Sequence, residues 1–554
     1  MQTPDLIILN ARVLTLNPAR PFAQAIAISG HKIMALGTTG EINSLRAKHT
    51  RVVDAKQKTV MPGIIEGHVH LFGGAVEITT LMVNHISSFQ EFHDSVSQHR
   101  KTHPHLKVIS ANGIAHESLG KDGPITRQLL DRIVSDVPFI VGCFDHHTMW
   151  ANTKALEAAG IMRGRVLPTG NEIVLDADGN ATGELREPAA YMPVQALTPT
   201  GGREWLGMTT GENPHPPATP EQRRIDEALM VSGIKHANSL GITTMHNMDG
   251  NWYQLELLKN ILDRGELNAR IEIPFHQKNY FDISRVDEAA DMHAQYKGDM
   301  LHSGRVKIFM DGVLETLTAL TLEDYPGHPG NTGAPLFTAA EFNALAARID
   351  KHKLQISVHA IADGAVRRTL DGFEFARNAN GVRDSRHRIE HIELIDPADV
   401  PRLKQLGVIA SLQPVTAVGV PGIPKEPILS RIGAKLPWSY PWQTLRNAGA
   451  TVAFSSDWPI APLNPFQGIQ AAMTCVPPND KCPNQQQSLM DCLHAFTVAG
   501  AKMEFMEDRK GMLKKGYLAD VVVLDSDLED TDPDKMRNVK AVMTVCDGRV
   551  VWEG

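Results

Sequence analysis

The sequence predicts an α/β protein: a (β/α)8 TIM-like barrel, a small β-sandwich formed by both chain ends, and a large insertion after the first barrel strand. Three observations carry this expectation. Val/Ile runs bounded by turn residues open and close the chain, eight apolar runs recur between them, and about 170 residues separate the first two of those runs. Apolar strands alternating with amphipathic helices indicate a buried parallel sheet, and eight such units indicate a closed barrel.

The opening segment holds Leu6-Ile7-Ile8-Leu9, Ala25-Ile26-Ala27-Ile28 and Arg51-Val52-Val53-Asp54. The closing segment holds Ala519-Asp520-Val521-Val522-Val523-Leu524, Ala541-Val542-Met543-Thr544-Val545 and the Val550-Val551 pair. Such runs between Gly and Asp turns are short strands. Termini that both end in strands meet in one sandwich, assigned to residues 1–60 plus 500–554.

The barrel is assigned to 61–74 and 231–499. Its eight strand runs lie near residues 59–66, 242–245, 270–274, 306–310, 354–358, 388–390, 407–411 and 451–455. Between them, Ala340–Ile349 reads as a helix with Phe342, Leu345, Ala346 and Ile349 on one face. Residues 75–230 form the insertion, read as a cap subdomain followed by a mobile loop. The Pro-rich Asn213-Pro214-His215-Pro216-Pro217 excludes regular structure there.

Composition narrows the class. The chain has 554 residues, 42% hydrophobic and 21% charged, as expected of a globular protein with a sizeable core. A net charge of -8 and a pI near 6.3 argue against nucleic acid or a basic membrane surface as partner. No stretch of about 18 apolar residues predicts a spanning helix, and no secretory signal precedes the first strand. Five scattered cysteines without a C-x-x-C pair fit free thiols in the cytoplasm. A homodimer is the default expectation for assembly.

The chemistry is carried by histidines. Gly67-His68-Val69-His70 ends the first barrel strand, and residues two apart on a strand share a side. Both imidazoles therefore reach one ion at the C-terminal end of the barrel, where active sites of this architecture lie. His359, His391 and Asp457 each follow another strand run, at the corresponding tip. Histidines scattered through a core would not gather at strand tips.

The set His-x-His, His, His, Asp resembles the metal-binding pattern of the amidohydrolase superfamily, beginning at Met61-Pro62-Gly63-Ile64-Ile65-Glu66-Gly67-His68-Val69-His70. His359-Ala360-Ile361-Ala362-Asp363, Arg388-Ile389-Glu390-His391, Ser456-Asp457-Trp458-Pro459 and Asp145-His146-His147-Thr148-Met149-Trp150-Ala151-Asn152 are similar to its YtcJ-like branch, which includes N-substituted formamide deformylases. Thr182-Gly183-Glu184-Leu185-Arg186-Glu187 and Arg509–Asp520 are also similar to branch segments.

The resemblance implies a metal-dependent hydrolase that cleaves an amide-type, non-peptide carbon–nitrogen bond of a small molecule with metal-activated water. It implies one or two Zn2+ ions, or another divalent metal, held by His68, His70, Lys307, His359, His391 and Asp457. Two readings of Lys307 stay open: a carboxylated lysine bridging two metals, or an ordinary ammonium beside Asp311 or Glu315. Asp457 is the expected general base and then acid. His391 is either a ligand or a group that polarises the carbonyl. His147, Trp150, Asn152, Glu315, Gln413 and Trp458 are the expected substrate-binding residues, and Glu187 faces the metal or caps a helix. Two alternatives also stand: a deaminase or cyclic-amide hydrolase of the same superfamily, and a metal-binding protein without catalysis.

Three departures qualify the resemblance. Glu66 precedes Gly67, where the superfamily more often has Asp two places before the first histidine. Ser455-Ser456 replaces Gly-Ser before the aspartate. Asp311-Gly312-Val313-Leu314-Glu315-Thr316-Leu317-Thr318-Ala319 puts Leu317 where the branch has a substrate-contacting arginine, and Glu315 where it has glycine. An acidic Glu315 leans toward a neutral or cationic substrate.

Overall fold

The computed structural model describes residues 3–143, 148–167, 170–418, 420 and 426–554. His147 lies outside the described residues. The chain forms two compact units: Met1–Leu71 with Gly207–Asn213 and Val231–Gly554, and Phe72–Leu206 with Pro214–Met230.

In the first unit, the chain ends build two sheets. One has the order Lys32–Gly37, Ala25–Ser29, Leu6–Leu9, Arg51–Asp54. The other runs Arg549–Glu553, Ala541–Cys546, Val521–Leu524, Thr59–Pro62, Arg12–Leu14, Phe22–Ala23. Strand alternation explains their packing: Leu6 and Ile8 join Val13, Val60, Val521 and Val545 in one core, while Ile7 and Leu9 turn to a second core with Ile42.

The central scaffold of this unit is a run of parallel strands. Ile64–Val69, Ile242–Asn247 and Arg270–Glu272 pair in one sheet. Phe275–His276, Arg305–Phe309, Gln355–Ala360, Arg388–His391, Ile409–Leu412 and Thr451–Phe454 pair in another. The third predicted strand is thus divided at Ile273-Pro274, where proline offers no N–H to a ladder. The last sheet meets the first strand through a single bridge, Val69 to Trp458, so the ladder is not one continuous closed cylinder. The architecture is an α/β, TIM-barrel-like fold.

The predicted first strand, 59–66, is corrected. Thr59–Pro62 belongs to the chain-end sheet and only Ile64–Val69 to the parallel set. The break falls at Gly63, where a Cβ would lie 2.3 Å from Thr243 Oγ1. Glycine lets the chain pass between the two sheets at that close approach. Helix Ala339–Lys351 opens with a Thr338/Glu341 capping box and buries the expected Phe342, Leu345, Ala346 and Ile349.

The second unit carries a six-stranded mixed sheet with two apolar clusters, one containing Phe92, Phe139 and Trp150, the other Leu156, Leu185 and Val194. The stretch expected to be a mobile loop contains a helix, Arg203–Thr209. None of the five cysteines forms a disulfide among the described residues. Among the described residues, no helix is long and apolar enough to cross a membrane.

Candidate functional site

Strand geometry delivers the histidines as pairs of fixed orientation. His68 Nδ1 donates to Glu390 Oε2 at 2.8 Å, and His70 Nδ1 donates to Asp249 Oδ1 at 2.6 Å. All four side chains are buried. With each Nδ1 proton committed to a carboxylate, each Nε2 presents a lone pair. Both Nε2 atoms lie 3.2 Å from Asp457 Oδ1. Asp457 is held there by its N–H, which donates to the His68 carbonyl at 3.0 Å, and by a left-handed φ of 64°. An L-residue other than glycine adopts that conformation at a cost, commonly at a functional site.

In the neutral tautomers three lone-pair atoms face one another, and a cation, whether a proton or a metal ion, relieves their repulsion. One ligand atom from each of His68, His70 and Asp457 lies within 4.8 Å of the others, and Asp457 Oδ1 is buried without a hydrogen-bond partner. Imidazole–carboxylate sets of this kind, with the second imidazole nitrogen anchored to a carboxylate, suit zinc and similar divalent ions. The residues therefore fit a metal.

The electrostatics agree. Burial opposes a charged His70, yet Asp249 and Asp457 raise it to about 10, so the position favours a cation. Burial likewise opposes the Asp457 carboxylate, but His68, His70 and His391 hold it well below the usual carboxylate range. Burial brings Lys307 down to about 8 against Glu390 and Asp457, and its Nζ is buried without a hydrogen-bond partner.

The remaining imidazoles form a row. His68 and His391 ring centroids are 4.9 Å apart, and His391 and His359 4.6 Å. His391 Nδ1 donates to Gln413 Oε1 at 2.9 Å, while Gln413 Nε2 donates to Ser455 Oγ. His359 Nδ1 is 3.3 Å from Asp311 Oδ1, a carboxylate that also accepts from the Leu320, Ile361 and Ala362 N–H groups. Burial, foremost, lowers both His359 and His391 to about 3, keeping them neutral.

The structure places the other expected site residues as follows. Gln413 spends both ends of its amide on His391 and Ser455, so it positions a histidine. Asn152 caps a helix: its Oδ1 accepts from Phe139 N and Ala155 N, and its Nδ2 donates to the Val134 and Val137 carbonyls. Trp150 is packed in the core of the second unit. Trp458 is buried, and its backbone carbonyl accepts from His70 N. Glu315 is exposed. Glu187 precedes helix Pro188–Gln195 at φ 65° without a side-chain capping bond.

The sequence reading missed Asp249, the anchoring role of Glu390, and Arg388. The last sits 2.9 Å from Glu390 and donates to the Gly67 carbonyl at 2.6 Å. Glu390 and Arg388 stood inside a recognised motif without an assigned role. Asp249 follows the second strand by two residues and carried no signal beyond that place.

The amidohydrolase family profile matches residues 51–552. The chain is 28% identical to Protein LONG AFTER FAR-RED 3 of Arabidopsis thaliana over 95% of its length and 88% of that protein's. It is 26% identical to the putative amidohydrolase YtcJ of Bacillus subtilis (93% and 94% covered). It is 24% identical to the N-substituted formamide deformylase of Arthrobacter pascens (100% and 99% covered). Among solved structures, an uncharacterized metal-dependent hydrolase from Pyrococcus furiosus shares the fold with a TM-score of 0.72 at 23% identity, covering 96% of this chain and 100% of that one. The chain belongs to the amidohydrolase family, in its YtcJ-like branch, and is a hydrolase of carbon–nitrogen bonds.

Proposed function

We propose that the protein hydrolyses a non-peptide, amide-type bond of a small molecule at a divalent metal centre, zinc being the first choice. The observation that carries this is the convergence of His68 Nε2 and His70 Nε2 on Asp457 Oδ1, with both Nδ1 atoms anchored. When bound, the metal supplies a Lewis acid and acidifies water.

The chain's own residues do the rest. Glu390 and Asp249 fix the tautomer and aim of His68 and His70. Asp457 turns Oδ1 toward those histidines, which leaves Oδ2 to take a proton from water and return it to the leaving nitrogen. His391, kept neutral and oriented by Gln413, and His359 complete the ligand set or polarise the substrate carbonyl. Lys307 would, if carboxylated, add a further anionic ligand to the site; its lowered pKa and unpartnered Nζ support this, because carboxylation needs a neutral amine.

We read the parallel strands, at 61–74 and 231–499, as a (β/α)8 barrel, residues 1–60 plus 500–554 as a β-sandwich, and 75–230 as an inserted subdomain. The test is product analysis on metal-loaded protein with a panel of N-substituted amides. Release of amine plus acid supports the proposal. Release of ammonia from amino-substituted or cyclic substrates supports the deaminase alternative instead, and no release from any of them removes both.

A further inference from the structure

Beside the histidine row, a second group of side chains surrounds the ring of Phe309. His276 stacks with that ring at 5.3 Å and His359 stacks with it at 4.6 Å. Lys278 Nζ lies 5.3 Å from its centroid and Lys307 Nζ 4.8 Å. His276 ends strand Phe275–His276 and pairs in register with Lys307, and Lys278 follows two residues later, beyond the strand tip. Side chains two apart in an extended segment leave on one side.

His276 is fully buried, and its Nδ1 donates to the Gly207 carbonyl at 2.8 Å. That bond fixes the tautomer and leaves Nε2 an acceptor; Nε2 is buried and has no hydrogen-bond partner. Lys278 is half-buried and donates to the Met208 carbonyl. Among the described residues, no carboxylate forms an ion pair with it. A partly desolvated ammonium with only one neutral acceptor is costly, and an arriving anion removes that cost. Glu315 is exposed, where water and salt screen its charge, whereas Lys278 acts in a lower dielectric.

We infer that Lys278 and His276 form the subsite that selects the substrate: Lys278 binds a carboxylate carried by the amide, and the His276 Nε2 accepts a hydrogen bond from a substrate N–H. The substrate class is then an amide bearing a carboxylate, of the N-acyl amino acid type. This reverses the lean toward neutral or cationic substrates read from Glu315. It rests on the amide-hydrolase reading for the reacting bond, but not for the binding preference.

The experiment is calorimetric titration of metal-loaded protein with N-acetylglycine and with N-acetylglycinamide, which differ only in the carboxylate. Wild type should bind the acid about tenfold more tightly than the amide. Lys278→Met should bring the two within about twofold, and Lys278→Arg should keep the preference. His276→Phe should weaken both probes alike. Thermal unfolding checks that each variant is folded. A preference retained in Lys278→Met would mean that the metal alone holds the carboxylate, and would overturn the inference; so would equal or absent binding of both probes to wild type. Failure of the hydrolase reading appears separately, as binding with the expected preference but no turnover of any amide.

Discussion

The Nδ1 of His68 donates to Oε2 of Glu390 across 2.8 Å, joining two buried residues 322 positions apart. The bond fixes the orientation of a buried imidazole and couples strand Ile64–Val69 to strand Arg388–His391. Replacing the carboxylate with an amide keeps the shape and removes the charge. Glu390→Gln should therefore lower metal affinity about 10- to 100-fold while the fold persists, as measured by competition with a chelator. Unchanged affinity would make Glu390 a purely structural partner of Arg388.

Asp457 is assigned the proton transfers. Asp457→Asn should lower kcat about 10²- to 10⁴-fold with a circular dichroism spectrum like that of wild type. A fully active variant would remove Asp457 from that role.

Lys307 distinguishes one metal from two. Lys307→Met removes a buried amine without a hydrogen-bond partner and keeps most of its volume. The variant should lose one of two metal equivalents yet unfold at a temperature no lower than wild type does. Two equivalents retained would exclude a bridging carbamate.

Gly250 follows Asp249, the anchor of His70. A Cβ at Gly250 would lie 1.9 Å from the Pro274 carbonyl oxygen, a backbone atom that cannot swing aside. Gly250→Ala should cost about 1–3 kcal/mol in urea unfolding and weaken metal binding through the displaced Asp249. Wild-type stability in this variant would show that the two segments separate freely.

Away from the site, burial opposes the Asp350 carboxylate, but His387, Asn380 and Arg383 hold its pKa below the ordinary 3.8. A depressed carboxylate stabilises the fold fully above its unfolded value and loses that contribution as pH falls through the folded one. The melting temperature of wild type should therefore fall more steeply below about pH 4 than that of Asp350→Asn. Parallel curves would assign the acid sensitivity to other groups.

The strand tips were legible because His68 and His70 stand two apart, and because apolar runs preceding His359, His391 and Asp457 mark where strands end. The carboxylates behind the histidines were not legible. Asp249 reaches His70 across 179 positions and Glu390 reaches His68 across 322, contacts that only the folded arrangement of strands creates. The run at 59–66 looked like one strand since Pro62 and Gly63 interrupt it without ending its apolar character. The resemblance does not reveal that Trp150 packs in a core and that Asn152 caps a helix. His276 and Lys278 carry no motif, and they gain meaning only from the Phe309 ring beside them.

The most direct test of the metal-centre account is metal content per chain, measured by plasma mass spectrometry on freshly purified protein without added metal. The account predicts about two equivalents of a divalent ion when Lys307 is carboxylated, and about one when it is not. No metal, with none recovered on adding zinc, would contradict it.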